Sequence, residues 1–115
     1  MTYKEFNTLM QQIGTALNCP AALDHFKNDV APPFFVWTYE DRDDVYADDS
    51  NYQRMQPVRL SYCSDFINIE AEELIETQIE TIIDTPYRKY GATYIESETM
   101  YQTDYEMEIV LNGRE

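Results

Sequence analysis

The densest chemistry in this sequence lies between Glu40 and Asp49, where six carboxylates and one arginine occupy ten positions. Crowded carboxylates invite a divalent cation, and Asp41 and Asp43 stand at the first and third positions of a possible EF-hand loop. That loop needs glycine at its sixth position for a sharp turn and a bidentate glutamate at its twelfth. Tyr46 and Tyr52 stand there instead, so the match fails and no metal site is expected. Like charges this close repel, so the stretch from about residue 40 to 55 is expected to be a solvated arm protruding from the fold. Tyr39, Tyr46 and Tyr52 flank or interrupt it. They either pack back on the fold or anchor the arm on a partner, because buried aromatics carry much of an interface's energy. The expected partner-interface residues are Asp41, Asp43, Asp44, Tyr46, Asp48, Asp49 and Tyr52.

Other chemistry is thin. Nucleophilic catalysis needs a serine or cysteine beside a base. The one histidine, His25, follows Asp24 in a polar turn, and Cys19 and Cys63 reach it only if the fold brings them there. Paired carboxylates could do acid–base work, but among 22 acidic residues some pair lies close by chance. Three glycines, Gly14, Gly91 and Gly113, make no phosphate-binding loop. No catalytic residue, cofactor or metal is expected.

The elements around the arm follow from periodicity. Phe6, Leu9, Met10, Ile13 and Leu17 share one face of a helix over residues 3–17, started by the Thr2/Glu5 capping-box spacing and stopped at Asn18 with Pro20 beyond. Residues 21–26 read as a short strand or a turn. Phe34 to Tyr39 is an aromatic strand, apolar on both faces and therefore central or covered on both sides. Residues 56–63 alternate, with Val58, Leu60 and Tyr62 on one face and Arg59 and Ser61 on the other. A second helix runs from Asp65 or Asn68 to Ile83. Its inner stripe is Ala71, Leu74, Ile75, Gln78, Ile79 and Ile82, and Glu70, Glu72, Glu73, Glu76 and Glu80 form a wet face. Two strands close the chain. Residues 87–97 place Tyr90, Ala92 and Tyr94 together, with Thr93 and Ile95 opposite. Residues 100–111 alternate cleanly from Tyr101 to Leu111, and the short Ser97-Glu98-Thr99 connection makes the pair a hairpin. The expectation is a single α+β domain over residues 1–115. It has an antiparallel sheet of about four strands with two helices on one face, in the order helix, strand, strand, helix, strand, strand.

The bulk charge bounds the partners. Eight basic residues against 22 acidic ones give a net charge of −14, which disfavours direct binding to nucleic acid or anionic membranes. It permits binding to a basic partner, or lining a passage to which DNA must not adhere. The start of the chain lacks an apolar signal core, no apolar run approaches the ~20 residues that span a bilayer, and two scattered cysteines read as free thiols in a reducing compartment.

Several stretches together resemble the tail-completion proteins of long-tailed bacteriophages, also called tail terminators or tail-to-head joining proteins. They are Tyr3-Lys4-Glu5-Phe6-Asn7, Ala31-Pro32-Pro33-Phe34 before the aromatic strand, and Ala47-Asp48-Asp49-Ser50-Asn51-Tyr52 before the next one. The resemblance continues in Tyr94-Ile95-Glu96-Ser97-Glu98-Thr99-Met100-Tyr101 and Tyr105-Glu106-Met107-Glu108-Ile109. The order and spacing carry it rather than any one stretch. The resemblance implies a non-enzymatic virion protein at the neck, made in the host bacterial cytoplasm. Such a protein forms a ring, in that family a hexamer, that caps the tail tube and meets the head connector or stopper. DNA passes through the ring without specific binding. It further implies that the long loop, here Glu40 to Arg54, becomes ordered in the assembly.

An alternative from the charge alone is an acidic mimic of DNA that inhibits a nucleic-acid enzyme. That role needs carboxylates fixed on a rigid face, whereas the densest cluster here falls in an expected loop.

Overall fold

A computed structural model of the chain describes residues 1–42 and 54–112. Helix α1 spans Tyr3–Leu17. It begins as its sequence predicts: the Thr2 hydroxyl accepts from the Glu5 N–H at 3.1 Å, and the Glu5 carboxylate accepts from the Thr2 N–H at 3.0 Å. It ends on Asn18 in the left-handed conformation, φ 58°, whose N–H closes on Gly14 and Thr15 carbonyls. Phe6, Met10 and Ile13 are buried, and Leu9 and Leu17 pack against the same core.

Five strands follow: β1 Ala21–Leu23, β2 Phe34–Tyr39, β3 Arg54–Ser64, β4 Tyr87–Ile95 and β5 Met100–Leu111. They form one sheet in the order β1-β2-β3-β5-β4. The three pairings from β2 to β4 are antiparallel, but β1 runs parallel to β2, so the sheet is mixed and has one strand more than the sequence led us to expect. Ala-Ala-Leu is short and has weak strand propensity, so the fifth strand exists only because β2 offers it an edge. The chain then returns along residues 24–33 to begin β2 beside the start of β1. The Phe26 ring meets Phe34 edge-on at 5.6 Å and so covers part of the outer side of β2.

Alternation in β3 and β5 sends Val58, Leu60 and Tyr62, and Thr103, Tyr105, Met107, Ile109 and Leu111, to the helix side, all buried as expected. Phe35 and Trp37 of β2 join them. Helix α2 spans Ile69–Gln78 and runs into a π-helical turn, Ile79–Ile83. The wider turn rotates the face, so Ile83 packs on the core while Ile82, placed inward by an unbroken helical period, is 47 % exposed. Strand β4 holds a second change of phase. Its pairing with β5 slips between Tyr90 and Thr93. The bulge puts Tyr90 opposite Asp104 on the open face and Tyr94 opposite Tyr101 on the helix face, so the two tyrosines do not share a side.

Candidate functional site

The strands that flank the acidic segment, β2 and β3, pair up to the point where that segment begins and ends. Tyr39 and Val58 are the last paired residues of β2 and β3, and the Glu40 N–H still donates to the Pro57 carbonyl at 3.0 Å. Gln56, buried although polar, ties the exit together. Its amide nitrogen donates to the Glu40 and Pro57 carbonyls, both at 2.7 Å, and its oxygen accepts from the Tyr3 hydroxyl at 2.6 Å. Arg42 Nη1 donates to the same Tyr3 oxygen at 3.3 Å. Every polar atom of the Gln56 amide is thereby used, as burial requires.

Tyr39 packs back rather than outward. Its ring meets Tyr3 at 4.8 Å in an edge contact and its hydroxyl donates to Asn7 Oδ1 at 2.7 Å. Burial, with a smaller contribution from Tyr3, pushes its phenol up to about 12. Of the expected interface residues, Asp41 lies exposed just beyond β2. Asp43, Asp44, Tyr46, Asp48, Asp49 and Tyr52 lie outside the described residues. The ends of β2 and β3 are therefore tied to α1, and sequence reasoning passed over Tyr3, Gln56 and Asn7, which make the tie. The signal for them was polar side chains on otherwise apolar periods.

Beside that tie, the open face of the sheet carries a mixed-charge cluster. Arg59 reaches Glu40 at 3.0 Å, Asp104 at 3.3 Å and Glu106 at 2.7 Å. The last two carboxylates belong to alternate positions of β5, which cross-strand register sets opposite Ser61 and Arg59. Carboxylates that the sequence alone leaves equivalent to those of α2 are thus partly neutralised here. On the helix side, Glu72 departs from its expected wet position. It is 4 % exposed, with Lys89 Nζ donating to it at 2.8 Å and Thr103 Oγ1 at 3.4 Å. Lys89 also holds Glu76 at 3.0 Å, and the Tyr105 hydroxyl donates to Glu76 at 3.0 Å. The hydrogen bond that Lys89 donates to Glu72 leads in raising its pKa, and burial leads in raising that of Tyr105. Glu70, Glu73 and Glu80 remain on the exposed side of α2 and its extension.

The catalytic alternatives do not assemble among the described residues. His25 Nδ1 lies 2.8 Å from the Asp24 carboxylate, both well exposed. The shallow depression that includes them contains neither cysteine. Cys63 is buried, and that burial, with Asp104 nearby, pushes its thiol up to about 11, away from the reactive thiolate. Among the described residues no group of three or more His, Cys, Asp or Glu side chains is arranged to hold a metal ion, and no helix is long and apolar enough to cross a membrane.

No family model matches the chain, and no curated protein matches it. Solved structures do. The chain is similar to a chain of the virion of a native gene transfer agent particle, with a TM-score of 0.56 over 93 % of this chain and 91 % of that one, at 10 % identity. The two share a fold across nearly their whole lengths.

Proposed function

We propose that this chain is a structural protein of a phage-like virion. In this reading it assembles as a ring that caps the tail tube and joins it to the head connector. The observation that carries the reading is the end-to-end fold likeness to a virion chain of similar length. The architecture adds to it: a mixed sheet backed by two helices. The resemblance in the sequence supplies the finer position at the neck and the hexameric number. The partners are other copies of the chain, the tube protein and the connector, and the protein performs no catalysis and uses no cofactor.

The charge fits a channel component. Net −14 per chain, repeated around a ring, keeps passing DNA from adhering. Glu70 and Glu73 of α2 and Glu80 of the π-helical turn are without an ion pair among the described residues, whereas Asp104 and Glu106 are engaged by Arg59.

A DNA-mimicking inhibitor is the second reading, for which Glu70 and Glu73 on the exposed side of α2 would be the fixed carboxylates. Negative-stain imaging separates the two. Purified protein mixed with tail tubes is expected to decorate one end of each tube as a ring. Bare tube ends beside a tight, salt-sensitive complex with a nuclease would reverse the choice.

A further inference from the structure

A ridge of apolar side chains follows the Ser64 end of β3, away from the Arg54 end. Phe66 is 56 % exposed, Ile67 52 % and Ile69 56 %, and Tyr94 of β4 is 49 % exposed. Phe66 and Ile67 connect to Tyr94 by way of Tyr101, and Ile69 follows them as the first residue of α2. Phe66 and Ile67 line a small crevice with Tyr101 and Ala92, and the Tyr101 ring lies 5.1 Å from that of Tyr94.

Local structure gives these side chains no task. Asn68 caps α2, its Oδ1 accepting from the Ala71 N–H at 3.1 Å. A helix start of this kind commonly packs the residue before the cap against the fourth helical residue. The first is Ile67, but the second is Glu72, which is turned inward to Lys89. The staple therefore cannot form, and Ile67 stays in solvent with Phe66 and Ile69 on either side. Scattered exposed apolar residues need no explanation, but a contiguous cluster with a polar rim marks an interaction surface.

The charged residues bordering the ridge in sequence are acidic, and Lys89 nearby is engaged by Glu72 and Glu76. Asp65, Glu70 and Glu73 border the ridge in sequence, Glu96 and Glu98 lie in the turn after β4, and positions 64–76 hold no lysine or arginine. A second copy would bring the same carboxylates against these, and like charges across an interface are costly. The geometry points to a heterologous partner: a protein segment that presents apolar anchors flanked by lysine or arginine, docked on Phe66, Ile67, Ile69 and Tyr94. The inference does not depend on the ring reading.

The test is an NMR titration of the ¹⁵N-labelled full chain with a short amphipathic peptide of leucine and lysine, and with its leucine–glutamate counterpart. The lysine peptide is expected to shift the amides of residues 66–69, 94 and 101, and to bind more weakly as salt rises. Phe66→Ser with Ile69→Ser, and separately Tyr94→Gln on a different element, are each expected to weaken it by about tenfold or more while the spectrum stays dispersed. Asp65→Lys with Glu70→Lys is expected to move the preference toward the glutamate peptide. Shifts confined to the arm or to the outer carboxylates of α2, with unchanged affinity in the ridge variants, would overturn the proposal. So would ridge shifts on concentrating the protein alone, which would make the occupant a second copy, or equal binding of both peptides.

Discussion

The side-chain oxygen of Asn7 accepts from Trp37 Nε1 at 2.8 Å and from the Tyr39 hydroxyl at 2.7 Å. Asn7→Ala leaves both donors without a partner in a part-buried site, and is expected to cost about 2–3 kcal/mol. Asn7→Asp keeps the acceptor and should cost less; urea unfolding distinguishes them. Lys89 poses a similar question of pairing. It is one-third exposed but balances a buried carboxylate, so Lys89→Met should cost about 2 kcal/mol, between the values for surface and buried pairs. Glu72→Met added to it should recover much of that loss, because no buried charge is then left alone. The phenol of Tyr39 titrates near 12 in the fold instead of near 10, and that of Tyr105 is also raised. The folded state thus keeps protons that the unfolded chain has released. That stabilisation is whole below pH 10 and is lost as pH climbs toward 12. The urea midpoint should fall across that window, less steeply in Tyr39→Phe. None of these pairings was legible in the sequence, because each joins residues from different elements. The inward turn of Glu72 depends on a lysine that only the β4 register brings beneath it.

At the scale of elements, helix α1 was legible to its caps because its signals are local: a capping box, a five-residue apolar stripe and a proline beyond the end. The strands β3 and β5 were legible for the same reason, alternation being a local pattern. What failed were the places where phase changes inside an element, the bulge in β4 and the π turn after α2, since a fixed period carries no mark of one added residue. The corrected phase makes a clear comparison: Ile83→Ser should cost about 1–2 kcal/mol and Ile82→Ser near zero. The seam between α1 and β1 is tighter than any pattern revealed. A Cβ placed on Gly14 would come within 2.5 Å of Ala21 Cβ. Gly14→Ala improves helix propensity yet is expected to lower stability by about 1–3 kcal/mol through overpacking, and thermal melting would read the sign.

At the scale of the molecule, the α+β class with two helices followed from the sequence, while the element order and the all-antiparallel sheet did not, because β1 adds a strand after α1 and pairs parallel to β2. Both edges of the sheet are guarded. β1 is three residues long, and β4 carries a bulge and the inward-facing Lys89. Such features discourage edge-to-edge pairing, so copies that assemble are expected to meet through faces, against the repulsion of net −14 on each. Salt screens that repulsion over about 10 Å at 0.1 M. The most direct test of the assembly account is therefore the mass in solution by light scattering, at low and at moderate salt. The account predicts growth with salt from the 13.6 kDa chain toward a closed ring. A monomer at every salt and protein concentration would contradict it, and a ring that falls apart as salt is added would show that charge pairs, not apolar faces, hold the copies together.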